Sequence, residues 1–182
     1  LMGSDDLIYN KAAYNLTAGE DFALGNPGQN RLGLIFPLAA MFKLGRVNEV
    51  SSSLVVLIPS ALLILLMFYA GRHFFGREVG YVAALLQAIY PMDVLFATLL
   101  YPDLPAALFI GLAVYLFHRG CNDKGDLHLF ASGLSVGLAY SVKETGAFAA
   151  PFLMGYALYN IRKKGFKWAY VWTLVGFMAV FI

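Results

Sequence analysis

Two carboxylates, Asp5 and Asp6, stand side by side near the start of this 182-residue chain. Adjacent like charges resist ionising together, so one carboxyl is held toward the range in which it can serve as a general base. The same residue types also suit the first turn of a helix, where negative charge is favoured. Residues 5–17 read as such a helix: Ile8, Ala12 and Leu16 recur at four-residue spacing, and Ser4 or Asp5 can cap the start. On the residues alone both readings stand, a catalytic pair or a helix start.

Other ionisable residues stand out by position. Asp93, Asp103, Lys143 and Glu144 fall at the ends of long apolar runs, where charge near hydrocarbon is expensive and therefore marks functional candidates. Water alone also accounts for each of them. Gly133-Leu134-Ser135-Val136-Gly137 matches the G-x-S-x-G nucleophile pattern. That elbow needs a strand before it and a helix after it, whereas an apolar helical run surrounds this one. The two glycines instead form a small-residue stripe along which a neighbouring helix can approach. His73, His118 and His128 lack zinc-ligand spacing, and neither a G-x-G-x-x-G nor a P-loop occurs. Cys121 is the single cysteine and cannot close an internal disulfide. Asn15-Leu16-Thr17 is a glycosylation triplet inside a helical stretch and reads as chance.

The elements that must position these residues follow from composition. The chain is 60% hydrophobic and only 13% charged, against about 25% charged residues in soluble domains. A water-soluble globule, a disordered chain and collagen are excluded. A net charge of +2 is too small and dispersed for a nucleic-acid partner. Six apolar runs approach the length needed to cross a bilayer, at residues 53–71, 79–100, 104–118, 127–142, 145–161 and 168–182. The second contains Pro91 and Asp93, so its outer third is expected to break. No period-two alternation is sustained, which argues against a membrane barrel. Residues 1–50 read as an outer loop with two short helices, 5–17 and Leu32–Leu44, the latter lying in the interface. The turn-rich stretch from Gly25 to Asn30 separates them.

Orientation follows from the basic residues. Arg72, Arg77, Arg119, Lys124, Arg162, Lys163, Lys164 and Lys167 fall in short loops of one side, which the positive-inside rule makes cytoplasmic. Arg162 to Lys164 are also placed to touch anionic membrane lipids. Residues 1–50 are then extracytoplasmic. Asp5, Asp6, Glu20, Asp21, Glu49, Asp93, Asp103 and Glu144 share that outer face. The opening Leu1-Met2-Gly3-Ser4 has no signal-peptide character, and the last run breaks off at residue 182. The expectation is a piece of a longer protein, inactive alone, with one span before it and more after it.

The order of these features resembles the polyprenyl-phosphate-dependent membrane glycosyltransferases of the GT-C fold, in the branch of the protein O-mannosyltransferases and aminoarabinose lipid A transferases. Gly3-Ser4-Asp5-Asp6-Leu7-Ile8-Tyr9, followed by Ala12-Ala13, Leu16 and Gly19, is similar to that family's outer-loop motif. Arg31-Leu32-Gly33 through Pro37 to Leu44-Gly45 is similar to its interfacial helix, and Gly71 to Gly76 to its first cytoplasmic loop. Pro91 with Tyr101-Pro102-Asp103-Leu104-Pro105, and Gly137-Leu138-Ala139 to Lys143-Glu144 with Pro151, resemble later outer corners. The family's second acid is Glu, where this chain has Asp6.

The resemblance implies an all-α integral membrane protein, a multi-span helical bundle with short interfacial helices at the outer face. It implies transfer of a sugar from a polyprenyl (dolichyl or undecaprenyl) phosphate to a lipid, glycan or protein acceptor, with inversion. Asp5 is then the base and Asp6 its tuner, with Tyr9, Arg31, Asp103, Lys143 and Glu144 as substrate-binding candidates. Lys143 or Arg31 would meet the departing phosphate. The resemblance makes no cofactor certain and leaves a divalent metal open. It places the protein in a prokaryotic plasma membrane or the endoplasmic reticulum. A multi-span transporter or a non-catalytic scaffold shares the composition and is the alternative.

Overall fold

The computed structural model describes residues 4–20, 31–122, 125–165 and 168–181. All regular structure among them is helical. The elements are α1 (Ser4–Ala18), α2 (Leu32–Leu44), α3 (Glu49–Phe75), α4 (Arg77–Ile89), α5 (Pro91–Phe96), α6 (Asp103–Asn122), α7 (Asp126–Val142), α8 (Ala149–Lys164) and α9 (Val171–Met178). Single 3₁₀ turns at Glu144–Phe148 and Trp168–Tyr170 precede α8 and α9. The expected turn from Gly25 to Asn30 lies outside the described residues.

The chain forms two compact units. The first comprises Leu1–Leu108 with Ser141–Lys143. Within it α1 packs on α2, α2 on α3, and α3 on α4. Tyr9, Ala12 and Ala13 of α1 are buried, as are Leu34, Ile35, Leu38 and Phe42 of α2. The α3–α4 turn is made at Gly76, whose φ of +104° suits a residue without a Cβ.

Helix α1 begins at Ser4. Ser4 and Asp5, the two expected caps, therefore sit with Asp6 inside its first turn, where the two acidic charges meet the positive helix end. The expected second span is broken: α4 stops at Ile89, Tyr90 is extended, and Pro91 opens α5. Proline has no N–H to donate and fits the first position of a new helix, which explains both events. The Gln87 amide donates to the Asp93 carboxylate across the break.

Helices α3 and α6 are long and apolar enough to cross a membrane. At 1.5 Å per residue, the 27 residues of α3 extend about 40 Å, more than the roughly 30 Å of a hydrocarbon core. Leu57, Ile58, Leu62 and Leu65 of α3 and Val82, Leu85, Leu86 and Ile89 of α4 are exposed, an apolar surface suited to lipid. Helices α7 and α8, at 17 and 16 residues, are shorter than the roughly 20 residues a straight span needs.

The second unit comprises Phe109–Tyr140 and Glu144–Ile182. Phe117 and Cys121 of α6, Leu129 and Val136 of α7, and Ala149 and Leu153 form its buried core. Ser132 is fully buried, and its hydroxyl donates to the Ala113 carbonyl at 2.7 Å. Helices α7 and α9 nearly touch backbone to backbone: a Cβ on Gly133 would run into the Thr173 carbonyl oxygen, and one on Gly176 into that of Phe130. The Ser135 hydroxyl bonds the Ala131 carbonyl one turn back. The G-x-S-x-G run is therefore a helix-packing stripe.

Gly133→Ala and Gly176→Ala are each expected to destabilise the protein by about 1–3 kcal/mol through overpacking. Gly155→Ala is the control. Nothing lies within 4 Å of a Cβ there, so its helix position predicts no loss and a gain of up to about 1 kcal/mol. Thermal unfolding in detergent compares the three.

Candidate active site

The geometry around the acidic pair is set by how α1 is seated. Tyr9 is buried, its hydroxyl accepts a hydrogen bond from the Arg31 guanidinium, and that guanidinium lies 5.6 Å from the Tyr9 ring centroid. Together these contacts fix α1 on the start of α2. One residue further along, Asn10 reaches α3. Its Oδ1 accepts from the Ser52 hydroxyl at 2.8 Å, and its Nδ2 donates to the Asp6 carbonyl at 2.9 Å. Asn48 caps α3 by accepting from the Ser51 N–H at 2.8 Å.

These elements border a cleft of about 340 Å³. Its polar lining is Asp6, Asn10, Asn48, Glu49, Ser52, Ser53 and Thr98; its apolar lining is Phe42, Val47, Leu99 and Leu100. Asp6 is half-buried, and its Oδ1 is enclosed without a hydrogen-bond partner among the described residues. Burial, and secondarily the Asp5 charge, push the Asp6 carboxyl above its ordinary range. Asp5 itself is exposed.

The other expected residues fall elsewhere. Asp103 lies in the first turn of α6 and pairs with Lys143, Nζ to Oδ1 at 2.5 Å. Both are part-exposed. Lys143 thus meets a carboxylate in this structure. Glu144 opens a 3₁₀ turn and is exposed. Tyr9 and Arg31 meet each other and do not line the cleft. Of the expected site residues, Asp6 alone borders it.

Sequence reasoning passed over Asn10, Asn48, Glu49 and Ser52. Two signals for them were present. Asn10 stands four residues after Asp6, hence on the same helix face, and Asn48 stands three before a serine at the head of an apolar run. Among the described residues no three His, Cys, Asp or Glu side chains converge to hold a metal ion. The cleft offers two carboxylates, Asp6 and Glu49.

The Asp6 pKa implies a pH dependence with a defined sign. A carboxyl whose pKa is higher in the folded state binds more protons there than when unfolded, so stability falls as pH rises through the raised value. Asp6→Asn removes that loss. Above this window the variant is expected to melt higher than the wild type, and the difference between the two melting curves is expected to vanish at low pH. Thermal unfolding across pH 3–8 is the measurement; a difference independent of pH would contradict the assignment.

Residues 33–182 match the family model for dolichyl-phosphate-mannose-protein mannosyltransferases. The match includes Asp103, Lys143 and Glu144 and begins after α1. No curated protein and no solved structure matches the chain. The matched stretch takes in α2 through α9, all of the second compact unit and most of the first, and on that ground the chain belongs to the dolichyl-phosphate-mannose-protein mannosyltransferase family.

Proposed function

We propose that this protein is a GT-C type glycosyltransferase that moves a sugar from a polyprenyl phosphate to an acceptor at the extracytoplasmic face, with inversion. Family membership supports a mannosyltransferase-type activity and a lipid-linked donor. Helices α3 and α6 and the exposed apolar surface support a membrane setting, and four further spans complete the proposed bundle. The observation that carries the reading is the Asp6 oxygen, without a hydrogen-bond partner among the described residues, in a cleft of mixed polar and apolar lining.

In the proposed reaction a carboxylate of the acidic pair takes the acceptor proton. The acceptor oxygen or nitrogen bonds to the anomeric carbon as the bond to the donor phosphate oxygen breaks, and polyprenyl phosphate leaves. A single displacement inverts the centre. The resemblance puts the base at Asp5; burial, an oxygen without a partner among the described residues and the raised pKa favour Asp6, with Asp5 as the neighbour that helps raise it. Lys143, held by Asp103 at rest, is the proposed cation for the departing phosphate. The acceptor is a lipid, glycan or protein, and the membrane is a prokaryotic plasma membrane or the endoplasmic reticulum.

Transfer from a polyprenyl-phosphate mannose donor, assayed in membranes containing the natural protein, tests this reading. Asp6→Asn is expected to lower turnover by about 10²–10⁴, the usual contribution of a general base, and Asp5→Asn by less. A dead Asp5→Asn beside an active Asp6→Asn would exchange the roles. Full activity in both would return the pair to helix-start duty, and no transfer by the wild type would leave a transporter or scaffold. Lys143→Ala is expected to weaken donor binding and Lys143→Arg to retain part of it.

Sidedness has its own test. Cys121 is buried, so reporters are placed at exposed positions in a Cys121→Ser background. Tyr14→Cys is expected to label from outside intact cells and Lys163→Cys only after permeabilisation. The opposite pattern would invert the proposed topology.

A further inference from the structure

We propose that Asn10 and Ser52 form a hydrogen-bonded clip between α1 and α3 that presents the Asp6 carboxylate to the cleft, making both of them positioning residues of the transfer reaction. The proposal rests on the reading of Asp6 as the base.

Consecutive residues of a helix point about 100° apart, and residues four apart share a face. Tyr9 and Asn10 therefore leave α1 in different directions, one to Arg31 at the start of α2, the other to Ser52 in α3. An attachment in one direction leaves a helix free to roll; two attachments fix its rotation. Asp6 shares the face of Asn10, so the second attachment decides where its carboxylate points. Asn10 uses both ends of its amide. Nδ2 holds the Asp6 carbonyl while Oδ1 receives the Ser52 proton. An amide committed at both ends cannot flip or swing without losing two bonds, so the tie runs from α3 to the backbone of the acid itself.

The anchoring end is rigid for a separate reason. Ser52 lies in the first turns of the 27-residue α3, whose start is fixed by the Asn48 cap. Asn10 and Ser52 both line the cleft with Asp6. Glu49 lines the same cleft and the exposed Asp5 charge acts on Asp6 from the next position, so a small roll of α1 would change both the charge and the solvation that Asp6 meets.

Loss of the clip affects a group that works in the transition state, so kcat is expected to fall more than KM changes. Ser52→Ala and Asn10→Ala are each expected to lower kcat about tenfold, a fraction of the roughly 10²-fold that a 1 Å misplacement can cost. A released Asp6 is wetter, so the acid limb of the kcat/KM profile moves to lower pH. Ser52→Thr keeps the hydroxyl and is expected to restore both kcat and the limb. Ser52→Cys keeps the size with a weak donor and stands in if the alanine variant fails to fold.

The measurements are mannosyl transfer and its pH profile in membranes of the natural protein, with thermal stability read in parallel and Asp6→Asn alongside. An inactive Asp6→Asn beside Ser52→Ala and Asn10→Ala variants of wild-type kcat and unshifted acid limb would overturn the clip while the base assignment stands. A lowered kcat without a shifted limb and without rescue by threonine would reduce the pair to ordinary packing and overturn it as well. A fully active Asp6→Asn would remove the base assignment and the clip together.

Discussion

The seating of Tyr9 against Arg31 is the contact on which the candidate site depends. A 15-residue helix is marginal in water by itself, and its stability has to come from tertiary packing. Helix α1 is weakly amphipathic, with Lys11, Tyr14 and Asn15 among its polar positions. Burying the Tyr9 ring, with its hydroxyl satisfied by a guanidinium that also lies over the ring, gives α1 one strong attachment where a broad apolar stripe is lacking. Ala12 and Ala13 bring the backbones close around it. Without this seat the acids would ride on a mobile segment. With it, Asp6 has a fixed address beside the start of α3.

Helix α3 supplies the other half of that address and joins two environments. Its middle is apolar and exposed, fit for hydrocarbon, while its first turn carries Asn48, Glu49, Ser51, Ser52 and Ser53. That polar start lines the cleft, where Asp6 is half-buried and Asp5 is exposed. Burial, and after it the neighbouring Asp5 charge, raises the Asp6 pKa, while Asp5 stays exposed.

Much of the helical layout was legible, for identifiable reasons. The run Leu32–Leu44 was fixed by apolar spacing and too short to span. Pro91 announced the break after α4 because proline's missing donor acts locally, whatever the tertiary fold. Gly133 and Gly137 read as packing residues because their apolar surroundings excluded a strand. The site was less legible. That Asp6 and not Asp5 lines the cleft depends on the rotation of α1, which residues in two other helices set. That Asp103 meets Lys143 depends on a contact across 40 positions. Neither follows from local periodicity, and Ser52 carries no mark in the sequence that separates it from Ser51 and Ser53.

The Lys143–Asp103 pair bears on how a phosphate could be handled and released. Part-exposed ion pairs contribute only about 0–1 kcal/mol, because water and ions compete for both partners. A pair this weak is a poor structural device but a suitable resting state for a cation that must later meet an anion. It keeps the ammonium of Lys143 compensated near an apolar environment, where an unpaired charge is expensive. It can also be exchanged for a phosphate at little net loss. A deeply buried pair would hold Lys143 too firmly to be redirected, since breaking it would strand a desolvated carboxylate. On the proposed reading, the half-exposure of this pair is therefore a requirement of the site. The weakness of the contact at rest is what would let one cation serve first the fold and then the leaving group.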